Sequence, residues 1–277
     1  MVAPDEIRTG SCLVVMGSEG RGEQTVRTDQ DNGLILAGPV DNAALDTFRT
    51  DFSGALADFG FPPCPGDVMV RSPVWSKQLS DYLADFRRWV ALPDETAHMN
   101  VAIFYDARAV AGDTQLLTTA KAALIDLIRG EQAYLAHFAR AVDAFATPIG
   151  LFNNLVTSEG KGDALDLKKG GLFPIVHGVR SLAIEHGLLE TATDKRIARL
   201  CEIGLLQADF ARELSQTFRF LLTLRLDGQL AASAGTSGTL VRPSLLSSME
   251  RDLLRDAFQV VKQFRGVIRH HFNLGMF

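Results

Sequence analysis

The chain has 277 residues, of which 47% are hydrophobic and 22% charged, and its formal net charge is -5. That length suits two modest domains or one large one, and the apolar fraction is that of an ordinary globular protein with material for a core. The acidic balance gives no general attraction to nucleic-acid backbones, and no apolar run approaches the ~18 residues of a membrane span. Cys12, Cys64 and Cys201 are too far apart for a zinc site and odd in number for a disulfide framework. Asp5 and Glu6 precede any apolar run, unlike a signal peptide. A soluble, cytoplasmic protein is expected, with neither nucleic acid nor membrane as a partner.

Residues 12–16 read as a buried strand that ends at a Gly17 turn, and residues 33–37 as its neighbour, stopped by Gly38-Pro39. Leu45, Phe48, Phe52, Leu56 and Phe59 recur at the spacing of an amphipathic helix. The segment Pro62-Pro63-Cys64-Pro65-Gly66 breaks the chain before a short strand expected around Val68–Val70. A second helix carries Leu79, Tyr82, Leu83, Phe86, Trp89 and Val90 on one face. The run from Asn100 to Asp106 reads as a buried strand ending in an acid, so residues 1–112 alternate strand and helix as a compact α/β domain does.

From Thr114 the pattern is helical, over 116–128, 132–145, 172–186, 196–206 and 210–226 and again after Pro243, with Ala231–Gly238 as a loop. Residues 113–277 are therefore expected to form an all-α helical bundle. The fold class is α+β.

The chemistry concentrates in Gly17-Ser18-Glu19-Gly20-Arg21-Gly22 and in Asp29-Gln30-Asp31. Residues two apart in a strand face the same side, so Asp29 and Asp31 can converge on one divalent cation. Gly17, Ser18, Gly20 and Gly22 allow backbone N–H groups near a phosphate, and Arg21 or Arg27 can neutralise its charge. Mg2+, or Mn2+ in its place, prefers one or two carboxylates plus substrate phosphates, and nucleotidyl transfer uses such a site. Asp106 is the best candidate for a third carboxylate that activates the attacking hydroxyl, with Arg108 nearby, although a strand-ending Asp also commonly caps a turn. A lone Asp-x-Asp is a weak motif; its place between two apolar strands, behind a Gly-Ser turn, makes it specific. Glu19 and Glu23 read as solvated, Trp75 and Trp89 as core, and the histidines as surface or satisfied core residues.

In the second half, Asp166-Leu-Lys168-Lys-Gly170-Gly171 precedes a helix starting near Leu172 with Pro174 in its first turn. On spacing alone this is either an interhelical loop or an anion site at a helix N-terminus; Arg180 lies about two turns further along.

Gly17-Ser18 followed by Asp29-x-Asp31 resembles the polymerase-beta-like nucleotidyltransferase superfamily. The longer string GSEGRGEQTVRTDQDNGLIL is similar to a bacterial nucleotidyltransferase family often joined to CBS and cyclic-nucleotide-binding modules, and related to the uridylyltransferase/uridylyl-removing enzyme of PII signalling proteins. Phe104 to Arg108 (FYDAR) matches a later strand of that family, and no segment here corresponds to the CBS or cyclic-nucleotide modules. The resemblance implies Asp106 as the third metal ligand, and Lys168 and Asp166 as a second nucleotide-binding wall contributed by a substrate-binding bundle. It also implies transfer of an NMP from an NTP to a hydroxyl of a protein or small-molecule acceptor. A non-catalytic nucleotide sensor that regulates a partner is the alternative.

Overall fold

The computed structural model describes residues 3–26, 29–150, 154–156, 164–231 and 240–275. The chain divides into two compact units, Met1–Gly130 with Leu189–Ala192, and Glu131–Leu188 with Thr193–Phe277.

In the first unit α1 (Asp5–Thr9) leads into β1 (Ser11–Val15), the single turn α2 (Gly17–Gly20) and β2 (Asn32–Leu36). Then come α3 (Asn42–Asp58), β3 (Ser76–Gln78), α4 (Leu79–Ala91), α5 (Glu95–Tyr105), β4 (Arg108–Gly112) and α6 (Thr114–Ile128). The strands form a four-stranded mixed sheet in the order β3-β2-β1-β4. β1 is antiparallel to both neighbours, and β2 is parallel to β3. Alternation sends Leu13, Leu34 and Leu36 to one face, where they pack with Ile7 of α1 and Leu45 and Phe48 of α3. Their neighbours Cys12, Val14 and Ile35 are buried on the opposite face, which α6 covers with α4 packed against it. The register sets Val15 opposite Asn32 on one side and Arg108 on the other. The end of β1 and the beginnings of β2 and β4 therefore share one end of the sheet.

Two expected strands are absent. The run from Asn100 to Asp106 lies in helix α5 and its C-cap, because Asp94 caps the N-terminus by accepting from the Ala97 N–H. Ala97, Val101, Phe104 and Tyr105 then fall on one buried face, and Phe104 packs its ring against Tyr82 and Phe86 of α4. The strand starts two residues later, at Arg108. Val68–Val70 also forms no strand; it docks on β2 through a single residue, with Asn32 N–H donating to Val68 O and Val70 N–H to Asn32 Oδ1. β2 instead gains β3 as its neighbour.

In the second unit α7 (Gln132–Ala139) runs into a 3-10 turn at Arg140–Asp143, which splits the single helix expected over 132–145. β5 (Leu165–Asp166) precedes a π-helical turn, Lys168–Leu172, and α8 (Phe173–Glu185). α9 (Thr193–Glu202), α10 (Ala208–Ala231), β6 (Leu240–Val241) and α11 (Ser248–His271) complete it. β5 and β6 pair antiparallel, a small ladder that the helical periodicity did not announce. α8 is buried on every side from Pro174 to Ile184, as a helix at the centre of a bundle must be. α7, α9 and α11 pack around it, with α10 against α9 and α11. Ser247 and Glu250 start α11 with a reciprocal capping box. Among the described residues no helix is long and apolar enough to cross a membrane.

Candidate active site

The site is organised by alternating burial in the residues just before β2. Gln30 is 2% exposed, while Asp29 is exposed and Asp31 half-buried. The Gln30 side chain points inward, its Nε2 donating to Ser53 O (3.1 Å) and Phe61 O (3.0 Å), and its backbone N–H donates to Pro62 O. The next residue with inward polarity, Asn32, holds Val68 and Val70. Asp31 is tied to the facing turn, since its carbonyl accepts from the Met16 N–H at 2.8 Å.

That turn is α2. Gly17 has φ 56°, and a Cβ there would stand 2.4 Å from Asp31 Oδ2. The glycine both permits the left-handed conformation and leaves room for the carboxylate. Gly20 answers to a different contact: its Cβ would lie 2.3 Å from the Asp106 carbonyl and 2.8 Å from that of Val15. Its smallness serves backbone packing, not the phosphate approach expected of it. Ser18 is half-buried, and as first-turn residues Gly17, Ser18 and Glu19 have N–H groups with no i-4 carbonyl inside the helix.

Arg21 and Asp106, expected to act on phosphate and on metal, are bonded to each other, Nη1 to Oδ2 at 2.7 Å. Arg21 Nε reaches Glu23 Oε2 at the same distance. The three side chains are 12%, 1% and 9% exposed, so Glu23 is not the solvated acid expected. Burial alone would lower the Arg21 pKa, but the Asp106 and Glu23 carboxylates more than offset it and hold the guanidinium above its ordinary value. Asp106 sits at the C-cap of α5, two residues before β4, and braces α2 through Arg21.

Two neighbours of Asp31 escaped the sequence. Glu19 is half-buried; burial raises its pKa, the Arg108 charge lowers it and the Asp31 carboxylate raises it again. Arg108 also donates to the Glu19 carbonyl at 3.2 Å. The Cys64 thiol is pushed up by burial, drawn down by the Val68 and Gly66 backbone, and raised again by Asp31, with which it shares a hydrogen bond. Pro62-Pro63-Cys64-Pro65-Gly66 reads as a chain break, and nothing in it signals that its thiol meets a carboxylate 33 residues earlier. Among the described residues no group of three or more His, Cys, Asp or Glu side chains is gathered that could hold a metal ion. Arg27 lies outside the described residues.

The remaining expected residues belong to the second unit. Asp166 Oδ1 accepts from the Lys169 N–H at 3.0 Å and so caps its own chain. Lys168 is exposed. The backbone is already helical at Leu172 (φ -67°, ψ -43°), so α8 has no open N-terminus there to receive an anion. The paired glycines make room for packing: a Cβ on Gly170 would meet Pro148 at 2.7 Å and one on Gly171 would meet Leu221 at 3.0 Å. Arg180 is buried, with Nη1 3.1 Å from His177 Nδ1, and His177 Nε2 is 2.7 Å from Phe138 O. His177 is a core histidine with a role for both nitrogens, and Trp75 and Trp89 are core residues as expected.

Residues 2–96 match the family described as "Putative nucleotidyltransferase DUF294", and residues 132–272 match "Putative nucleotidyltransferase substrate binding domain". The chain belongs to this nucleotidyltransferase family. One match falls in each unit: the first contains the Gly17 turn and both Asp29 and Asp31, the second Asp166 to Gly171 and helices α7 to α11. No curated protein matches the chain. Family membership makes this nucleotidyltransferase an enzyme of nucleotidyl transfer in the general sense, with an NTP as substrate.

Proposed function

We propose that the protein is a Mg2+-dependent nucleotidyltransferase that moves an NMP from an NTP to a hydroxyl of a protein or small-molecule acceptor and releases pyrophosphate. The observation that carries this reading is Asp31, whose carboxylate lies against a glycine turn that has room for it, with the exposed Asp29 on the other side of buried Gln30. Oxygen donors alone, two carboxylates in number, suit Mg2+, which keeps its other positions for water and substrate phosphates. Asp29 and Asp31 would hold the ion, and Mn2+ fits the same donors. When bound, it supplies charge neutralisation at the phosphates undergoing transfer.

The chain's own groups do the rest. Gly17 and Ser18 offer N–H groups and a hydroxyl to phosphate oxygens beside Asp31. Asp106 acts through Arg21, fixing the turn that carries those donors. Lys168 is proposed as a phosphate-neutralising cation, with Asp166 shaping the turn that presents it.

The alternative, a nucleotide sensor without catalysis, draws support from Asp106 being committed to Arg21. Incubating the full chain with labelled NTPs, Mg2+ and host lysate, then identifying labelled products by mass spectrometry, separates the two. Label transfer that disappears in the Asp29→Ala/Asp31→Ala variant supports the enzyme; nucleotide binding with no transfer under Mg2+ or Mn2+ supports the sensor.

A further inference from the structure

We infer that Gln30 is a positioning residue for the metal site: its buried amide sets the direction and separation of the Asp29 and Asp31 carboxylates. The inference rests on the metal reading of those two acids.

Gln30 lies two residues before β2, at a buried position where an aliphatic side chain is the ordinary choice. An aliphatic residue there would leave the Ser53 and Phe61 carbonyls without this donor. Instead the amide is wholly enclosed, and although Nε2 donates to the Ser53 and Phe61 carbonyls, its Oε1 is buried without a partner among the described residues. A buried acceptor left unsatisfied is unfavourable and offsets part of what the two donated bonds contribute to stability.

The two bonds have a specific geometric effect. Ser53 belongs to α3, and Phe61 follows its C-terminal end. With the Gln30 N–H on Pro62 O, three hydrogen bonds fix this one residue to the α3 end and the loop after it. On the other side, Met16 N–H holds the Asp31 carbonyl, and Asn32 is held by Val68 and Val70. Side chains alternate, so pinning Gln30 inward obliges Asp29 and Asp31 outward together. A rotation of the segment about its own axis would turn Asp31 away from the Gly17 turn and move Asp29 with it, and Gln30 is the side chain that resists it. Groups that orient metal ligands without touching the metal are worth roughly 10–100-fold in metal affinity elsewhere.

The test is Mn2+ binding to the full chain by titration calorimetry and electron paramagnetic resonance, alongside its melting temperature. Gln30→Met keeps length and apolar volume but removes both donors. It is expected to weaken Mn2+ binding by about tenfold or more. Gln30→Asn keeps an amide too short to reach both carbonyls; it is expected to fall between Met and native, and it carries the test should Gln30→Met not fold. Phe48→Leu trims the core beneath α3; it is expected to lower the melting temperature while leaving Mn2+ affinity within about twofold. Native-like Mn2+ affinity in folded Gln30→Met or Gln30→Asn overturns the inference and leaves the metal reading intact. Weakening by Phe48→Leu equal to that by Gln30→Met also overturns it, since loss of stability would then suffice. If the native chain itself binds Mn2+ no better than Asp29→Asn/Asp31→Asn, the metal reading fails, and the Gln30 inference with it.

Discussion

Arg21 Nη1 lies 2.7 Å from Asp106 Oδ2, joining positions 85 residues apart in a pair of which the acid is almost wholly enclosed. The pair ties the glycine turn after β1 to the C-cap of α5, two residues before β4. Removing one partner of a buried ion pair strands the other, at a cost of about 3 kcal/mol. Asp106→Ala should therefore lower the unfolding free energy by about that much in urea titrations without metal or nucleotide. An unchanged metal-free stability would show that Asp106 is kept for a ligand, not for Arg21.

Gly17→Ala tests the approach of the turn to Asp31. A methyl group there meets Oδ2 at 2.4 Å on a backbone with φ 56°. The left-handed strain alone costs about 1–2 kcal/mol, and the collision must displace the carboxylate. Mg2+-dependent NTP binding, measured by calorimetry, should be lost well before the fold melts. Native-like binding would separate Gly17 from the site.

The second unit carries an acid-sensitive pair. Asp143 Oδ1 and Oδ2 accept from Arg265 Nη2 (2.8 Å) and Arg269 Nε (2.7 Å). Burial would raise the Asp143 pKa, but the hydrogen bonds from Arg265 and Arg269 overcome it and hold the pKa below the ordinary value. A folded pKa below the unfolded one, near ~3.9, stabilises the protein above that pH. The stabilisation is lost as pH falls through the lower, folded value. Native protein should lose melting temperature below about pH 4, whereas Asp143→Asn should start lower at neutral pH and show a shallower acid decline. Parallel melting curves across this range would contradict the assignment.

Lys168 and its glycines should respond oppositely. Exposed Lys168→Ala should change stability by no more than about 0.5 kcal/mol, so any loss of nucleotide affinity reports on function. Gly170→Ala forces a methyl onto Pro148 at 2.7 Å and should cost about 1–3 kcal/mol. Chemical denaturation of the two variants beside NTP titration distinguishes the roles; a destabilised Lys168→Ala would assign the lysine to the fold.

What the sequence made legible follows from local physics. Period-two patterning placed β1 and β2, because each depends only on adjacent residues. The period of 3.6 located α3, α4, α6 and the helices of the second unit. The apolar run ending in Tyr105 misled because a short run is compatible with a buried strand or a buried helix, and the choice fell to the Asp94 cap and to aromatic partners in α4. The Arg21–Asp106 pair, the Cys64 thiol beside Asp31 and the reach of Gln30 to Ser53 all depend on contacts distant in sequence, for which no periodicity exists. The glycines show the same limit: Gly17 borders the candidate site, whereas Gly20, Gly170 and Gly171 make room for neighbours, and the chain alone presents all four alike.

The central claim is that Asp29 and Asp31 hold the cation that accompanies the nucleotide. The most direct test is calorimetric titration of the full chain with ATP, UTP, CTP and GTP, with and without Mg2+, in native and Asp29→Asn/Asp31→Asn forms. At least one NTP should bind the native chain in a Mg2+-dependent way, and the double variant should lose that dependence. NTP affinity indifferent both to Mg2+ and to removal of the two carboxylates would contradict the account.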